Sequence, residues 1–397
     1  KYLKFTLRSF HVIEGVIPMI YLDYSATTPI HEEVLNTFIE INRKFWANPS
    51  SLHDFGMQAF ALYERAKEQA LMMLKASDHR IYFTSGATEA NNMAIRGICR
   101  QYQNRGRHLI TTKVEHSSVY NVFEAMMDEG FEVTFLDVDE KGLLDLATLE
   151  RSIRKDTILV SVMMVNAEVG TIYPIKEIVQ IVKKQNPQTF IHSDIVQAVG
   201  KIPVHLDDLG IDLASIAGHK IYGPKGIGAL IVRNRVSLPP LLYGGAQQEG
   251  IRPGTMDLAS IVSLSKAIRL AVEGVKAHGE RVKALSDYLY KTLKHLPYLV
   301  FNSDPERSIP HVINFSVSGV KAETVVHALA QEGIYISSKT ACSSKTNRPS
   351  RVLQAMGFDD HRASSSLRVS LSHLVTEDEI RTFVDVFKTT MERVLVK

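Results

Sequence analysis

Four short segments of this chain carry residues that chemistry can use, and each follows an apolar run. Residues 215–226 read S-I-A-G-H-K-I-Y-G-P-K-G, with Lys220 after a strand-like run and before a Gly/Pro turn. A lysine so placed suits a covalent anchor for an aldehyde, because the amine must be held rigidly and its pKa lowered for it to act as a nucleophile near neutrality. Lys225, deeper in the turn, is the internal rival, and an ordinary turn lysine is the plain alternative. Asp194 ends the run F-I-H-S-D, 26 residues before Lys220. A strand-end carboxylate there can keep a heteroaromatic ring nitrogen protonated; the alternative is a solvated aspartate. T-S-G-A-T-E-A-N-N at 84–92 joins a strand to a helix, so the first helical N–H groups and the Thr88 hydroxyl form an anion site. It lacks both the G-x-G-x-x-G of a dinucleotide turn and the G-K-[ST] of a P-loop, which argues against those nucleotide readings. V-E-H at 114–116 puts His116 at another strand end, where it can stack on a flat cofactor and move protons, or be a polar loop residue. The remaining histidines show no metal-ligand spacing, so no metal is expected.

The chain has two cysteines. Cys99 lies in the amphipathic stretch I-C-R and reads as a small core residue. Cys342 lies in S-S-K-T-A-C-S-S-K-T-N-R-P, polar and flanked by Lys339, Lys345 and Arg348, the setting of an accessible, acidified thiol.

The elements that must position these groups alternate along the chain. Seven apolar runs (80–84, 108–112, 132–137, 157–165, 190–193, 213–216 and 228–232) predict strands. Stretches 89–103, 118–129, 147–154 and 175–185 predict helices, the last with lysines in its final turn. Such alternation predicts an α/β fold with a mostly parallel sheet, in which ligands lie at the strands' C-terminal ends. After about residue 258 the pattern becomes helices at 258–276 and 281–296 followed by strands at 312–317 and 367–371, a smaller α+β unit.

With 397 residues, 45% hydrophobic and 22% charged, the chain can bury two cores. A net charge of +3 gives no nucleic-acid or membrane signal, and no apolar run reaches the ~18–20 residues of a membrane span. Two cysteines suit a reducing compartment, so a cytoplasmic location is expected. Residues 1–18 differ in pattern from the rest of the chain and read as an extension from cloning or an upstream start, with an organelle-targeting remnant as the alternative.

The motifs together resemble the cysteine desulfurase family of pyridoxal-phosphate (PLP) fold-type I, class-V aminotransferase-like enzymes, from Tyr21 to about Arg393. The resemblance rests on Y-L-D-Y-S-A-T-T-P at 21–29, N-P-S-S-L-H at 48–53, T-S-G-A-T-E-A-N-N, V-E-H, V-N-A-E-V-G-T at 165–171, G-H-K-I-Y-G-P-K-G-I-G-A at 218–229 and R-P-G-T at 252–255. It implies a large domain (30–270) with a mostly parallel seven-stranded sheet flanked by helices. A smaller α+β domain (19–29 and 271–397) would carry the cysteine loop at about 337–350. It also implies a Schiff base between PLP and Lys220, with Asp194 on the pyridine nitrogen and Gln197 on the phenolic oxygen. His116 would stack on the ring as acid/base, and Asn166 would touch it. Ala87, Thr88, Ala217, Gly218 and His219 would cup the phosphate, with Thr255 reaching in from the neighbouring subunit of a homodimer. Asn48 and Arg368 would hold the substrate carboxylate, and Cys342 would take the sulfur as a persulfide.

Ala217 departs from the hydroxyl residue usual in this family, a lost hydrogen bond to a charged group of about 1.5–3 kcal/mol. Ala167 stands where the family more often has asparagine. The long loop resembles the group that delivers sulfur to acceptor proteins, either an iron–sulfur scaffold or a tRNA-thiolation enzyme. A selenocysteine lyase or another fold-type I enzyme is the enzymatic alternative; a non-catalytic sulfur relay or scaffold is the other.

Overall fold

A computed structural model describes residues 19–338 and 349–395. Seven strands form one sheet in the order His79–Thr84, Gly228–Arg233, Leu213–Ala217, Phe190–Asp194, Thr157–Ser161, His108–Thr112 and Glu132–Leu136. Gly228–Arg233 runs antiparallel to both neighbours, and the other pairs are parallel.

The near-continuous apolar character of the inner strands reflects burial on both faces, while the edge strand Glu132–Leu136 is half-exposed. Leu109, Phe190, Leu213 and Leu230 pack into one layer with Ile95, Ile98 and Phe123. Their chain neighbours Ile110, Ile191, Ala214 and Ile231 point the other way and pack with Tyr63, Ala66, Leu264 and Ile268. The helix Ile175–Gln185 shows how sequence sets the layer: Ile175, Ile178, Val179 and Val182 are its buried stripe, and Lys183 and Lys184 close its last turn.

The helices predicted at 258–276 and 281–296 form one continuous helix, Leu258–Leu293. Gly274 and Gly279 weaken a helix interior by about 1 kcal/mol each, but the two ends are held by different cores. Leu258, Leu264 and Ile268 belong to the sheet's core, whereas Val282, Leu285, Leu289 and Leu293 pack with Phe315, Phe383 and Phe387. That second core is built on a three-stranded antiparallel sheet ordered Ser366–Ser370, Val312–Val317, Leu299–Phe301. Ile20–Tyr21 joins it by pairing in parallel with Ile334–Tyr335. The run at 157–165 is a strand only to Ser161; beyond it the backbone turns, with Met164 N–H donating to the Asp194 carbonyl at 3.0 Å. Among the described residues no helix is long and apolar enough to cross a membrane.

Candidate active site

The parallel strands deliver their last residues to one sheet edge, where a cavity of ≈ 510 Å³ opens. Its lining includes Ala87, Thr88, His116, Asp194, Gln197, Ala217, His219, Lys220 and Arg368. Sequence reasoning places each of these at a ligand site.

Lys220 closes the short 3-10 turn Gly218–Lys220, which follows directly from the strand Leu213–Ala217. Gly218 is needed there, since a Cβ would lie 2.9 Å from the Pro224 carbonyl oxygen. Gly218 itself packs behind the cavity wall. Lys220 Nζ donates to the carbonyls of Ser25 and Ala26, the latter at 2.7 Å, so the N-terminal segment aims the amine. Lys225 is exposed in the turn and also reaches the cavity.

Asp194 is 7% exposed. Its carboxylate accepts from Val196 N–H and from Asn91 Nδ2, both at 3.0 Å. The same Asn91 nitrogen donates to Ser118 Oγ at 2.8 Å, and Ser118 Oγ lies 2.8 Å from His116 Nδ1. Ser118 N–H also donates to Nδ1, so His116 caps the helix Ser117–Asp128. With Nδ1 accepting twice, the neutral ring carries its proton on Nε2. Burial holds the His116 pKa below its ordinary value; Asp194 pulls it upward, while Lys220 and Arg351 add to the lowering. Asn91 and Ser118 have no role assigned from sequence. The available signal was a polar residue on the apolar stripe of the helix Ala87–Tyr102, beside Ala90, Ala94, Ile95 and Ile98.

Ala87 and Thr88 open that helix, and their strand-to-helix turn forms one wall of the cavity. Opposite stand Ala217 and His219, whose Nδ1 lies 3.2 Å from Thr27 Oγ1. Burial, reinforced by Lys220 and Lys225, lowers the His219 pKa to about 4. The two walls nearly touch at their base, where a Cβ on Gly228 would sit 2.7 Å from the Gly86 backbone.

Gln197 is buried beside Lys220. Its Nε2 donates to the Ser25 carbonyl at 3.2 Å, and its Oε1 accepts from Lys201 Nζ. Arg368 is no surface cation: it is 1% exposed, donates to Asp23 Oδ1 at 2.8 Å and to the Ala167 carbonyl at 3.0 Å, and leaves Nε without a partner.

Three predicted residues lie elsewhere. Asn166 uses its side chain to hold its own turn, accepting from the N–H groups of Glu168 and Val169 and donating to the Val114 carbonyl. It faces a neighbouring cavity with Glu115 and Arg351. Asn48 and Thr255 line a third cavity together, and neither reaches Arg368 within one chain.

Cys342 lies outside the described residues. The chain on either side of that segment is tied to the site. Ser337 pairs with Arg368 across strands, and Ser350 Oγ donates to Glu168 Oε2 at 2.5 Å. Arg351 donates to the carbonyls of Lys113 and Glu115, with its guanidinium 3.9 Å from the Tyr120 ring centroid. Cys99 is buried, and burial pushes its thiol pKa up to about 12, so it is inert.

These residues fit PLP. An amine, a buried carboxylate for a ring nitrogen, an imidazole and a helix N-terminus for a phosphate share one cavity, and the buried Ser25 Oγ beside them has no partner.

The family described as aminotransferase class-V matches residues 20–383. The chain is 40% identical over 375 residues to a protein named cysteine desulfurase IscS from Dictyoglomus turgidum, covering 94% of this chain and 95% of that one. It is 44% identical over 378 residues to a mitochondrial cysteine desulfurase from Eremothecium gossypii, covering 94% of this chain and 76% of that protein. A solved structure described as a NifS-like protein superposes with a TM-score of 0.89 at 34% identity, covering 94% of this chain and 100% of that one.

Proposed function

The chain belongs to the cysteine desulfurase family, PLP-dependent enzymes of the class-V aminotransferase fold, and from that premise we propose how its own residues divide the work of converting L-cysteine to L-alanine. The observation that carries the reading is the convergence of Lys220, Asp194, His116, Gln197 and Arg368 on one cavity.

Bound PLP supplies an aldehyde that condenses with amines and a protonated ring that draws electrons from the substrate Cα. Lys220 would hold it through its amine. Asp194, held by Val196 N–H and Asn91, keeps the proton on the ring nitrogen. The first turn at Ala87 and Thr88, with His219, holds the phosphate, and Gln197 donates to the ring oxygen. Arg368 takes the substrate carboxylate on its planar fork, sharing the guanidinium with Asp23. The Lys220 amine would remove and return the substrate Cα proton. His116, neutral at physiological pH with its proton on Nε2, serves as the acid/base group beside the substrate.

The Cys342 thiolate then attacks the substrate sulfur. An S–S bond forms, the Cβ–S bond breaks, and its electron pair stays on Cβ, which takes a proton to become the alanine methyl. The balance is L-cysteine plus the Cys342 thiol giving L-alanine plus the Cys342 persulfide. The sulfur passes next to an acceptor protein, an iron–sulfur scaffold or a tRNA-thiolation enzyme, in the cytoplasm. The enzyme works as a homodimer, in which Thr255 serves the neighbouring subunit's site. That Thr255 lines a different cavity of its own chain supports that reading.

Loading the protein with PLP and adding L-cysteine with a reducing thiol should yield alanine and sulfide in equal amounts. A keto acid product, or sulfide without alanine, contradicts the assignment.

A further inference from the structure

Lys201 is a half-buried lysine that the reaction above does not use, lining one cavity and bonded to a residue that lines another. On one side is Gln197, whose Oε1 accepts from Lys201 Nζ. On the other is a cavity of ≈ 350 Å³ that Lys201 lines together with Lys220, Glu273, His278, His311 and His373. An amide side chain can be turned end for end, and its neighbours decide which end faces the site. An ammonium only donates, so the end facing Lys201 must be the oxygen; a carbonyl only accepts, so the end facing Ser25 must be nitrogen. Both contacts select one orientation, and the second N–H of Gln197 is left for the cavity.

We propose that Lys201 is a positioning residue that locks the Gln197 amide so that its N–H group faces the oxygen on the ring of the bound cofactor. This rests on the functional reading above. Burial, with the cations Lys220 and Arg368 adding to it, lowers the Lys201 pKa to about 7, so the lock is firmest below that pH, where the amine is the charged form that only donates. The groups around it are mostly cationic or neutral: Lys220 and Arg368 on the cofactor side, and His311, His278 and His373 behind, with Glu273 on the far wall.

The test is the pH titration of the visible absorbance of the Schiff base linking PLP to Lys220. A donor to the ring oxygen stabilises its anionic form and lowers the pKa of the imine. Lys201→Met and Lys201→Ala should therefore raise that pKa by about half a unit or more, and Gln197→Leu should reproduce the rise. Lys201→Gln, which keeps a donor, should return it toward the parent value. In the Gln197→Leu background, Lys201→Met should add nothing. Unshifted titrations in the Lys201 variants or in Gln197→Leu overturn the inference, and so does a full additional shift in the double variant, because Lys201 would then act through its charge and not through Gln197. A parent protein that forms no visible band with PLP overturns the functional reading itself, which separates the two failures.

Discussion

Arg368 and Ser337 exchange two backbone hydrogen bonds, Arg368 N–H to the Ser337 carbonyl at 2.6 Å and Ser337 N–H to the Arg368 carbonyl at 3.1 Å. The residue assigned to the substrate carboxylate is thus paired with the chain just ahead of the segment bearing Cys342. Arg368→Gln should lower kcat/KM for L-cysteine by about 10–100-fold, the loss of a charge-assisted hydrogen bond. Most of the loss should appear in KM, and steady-state kinetics read it directly.

Asn91 joins Asp194 to His116 through Ser118. Asn91→Leu removes a shared donor and leaves the Asp194 carboxylate with one protein partner fewer. Turnover should fall about tenfold or more, with weaker PLP retention on gel filtration, while Asn91→Gln recovers part of it. Unchanged turnover in Asn91→Leu would contradict a role for this bridge.

Glu115, one residue before His116, is fully buried, accepts from Met163 N–H and Thr112 Oγ1, and leaves Oε2 without a partner. Burial, with Asp194 adding to it, raises its pKa to about 8. A carboxyl whose folded pKa is raised favours the folded state fully below its unfolded pKa, and that contribution is lost as pH rises through about 8. Glu115→Gln keeps the shape without the titration. Its melting temperature should gain on the parent between pH 6 and pH 9; a constant difference would show that Glu115 is ionised in the fold.

Several histidines work in the opposite direction. Burial is the largest cause lowering His192 and His373 to about 4 and His311 to about 3, from an ordinary 6.5. Their contribution to stability is full above pH 6.5 and is lost progressively as pH falls toward 4. Thermal unfolding should show a declining midpoint on acidification through that window, and His311→Asn should flatten it.

The sheet was legible because its inner strands are buried on both faces and so read as apolar runs bounded by turns. The runs at 108–112 and 312–317 match their strands end to end. The helices Glu32–Lys44 and Asp54–Met73 escaped notice because both are capped by histidines, His31 and His53, and not by the usual Ser, Thr or Asp. The break expected near His278-Gly279 is absent because two cores grip one helix, which local propensity does not record. The residues proposed to touch a ligand announced themselves by type and by place at a strand end. Those bonded to them (Asn91, Ser118, Lys201) did not, since a donor has meaning only once its acceptor is in view. Arg368 is the intermediate case: its role followed from family resemblance, but its pairing with Asp23 and Ser337 required the fold.

The central claim is sulfur transfer to one thiol. PLP-loaded protein mixed with one equivalent of L-cysteine, quenched with an alkylating reagent and digested, should carry one added sulfur atom on the Cys342 peptide and none on the Cys99 peptide, with alanine formed in the same amount. Cys342→Ala should keep the visible PLP band and form no persulfide. Alanine production at the parental rate by Cys342→Ala, or sulfur found on Cys99, would contradict the account.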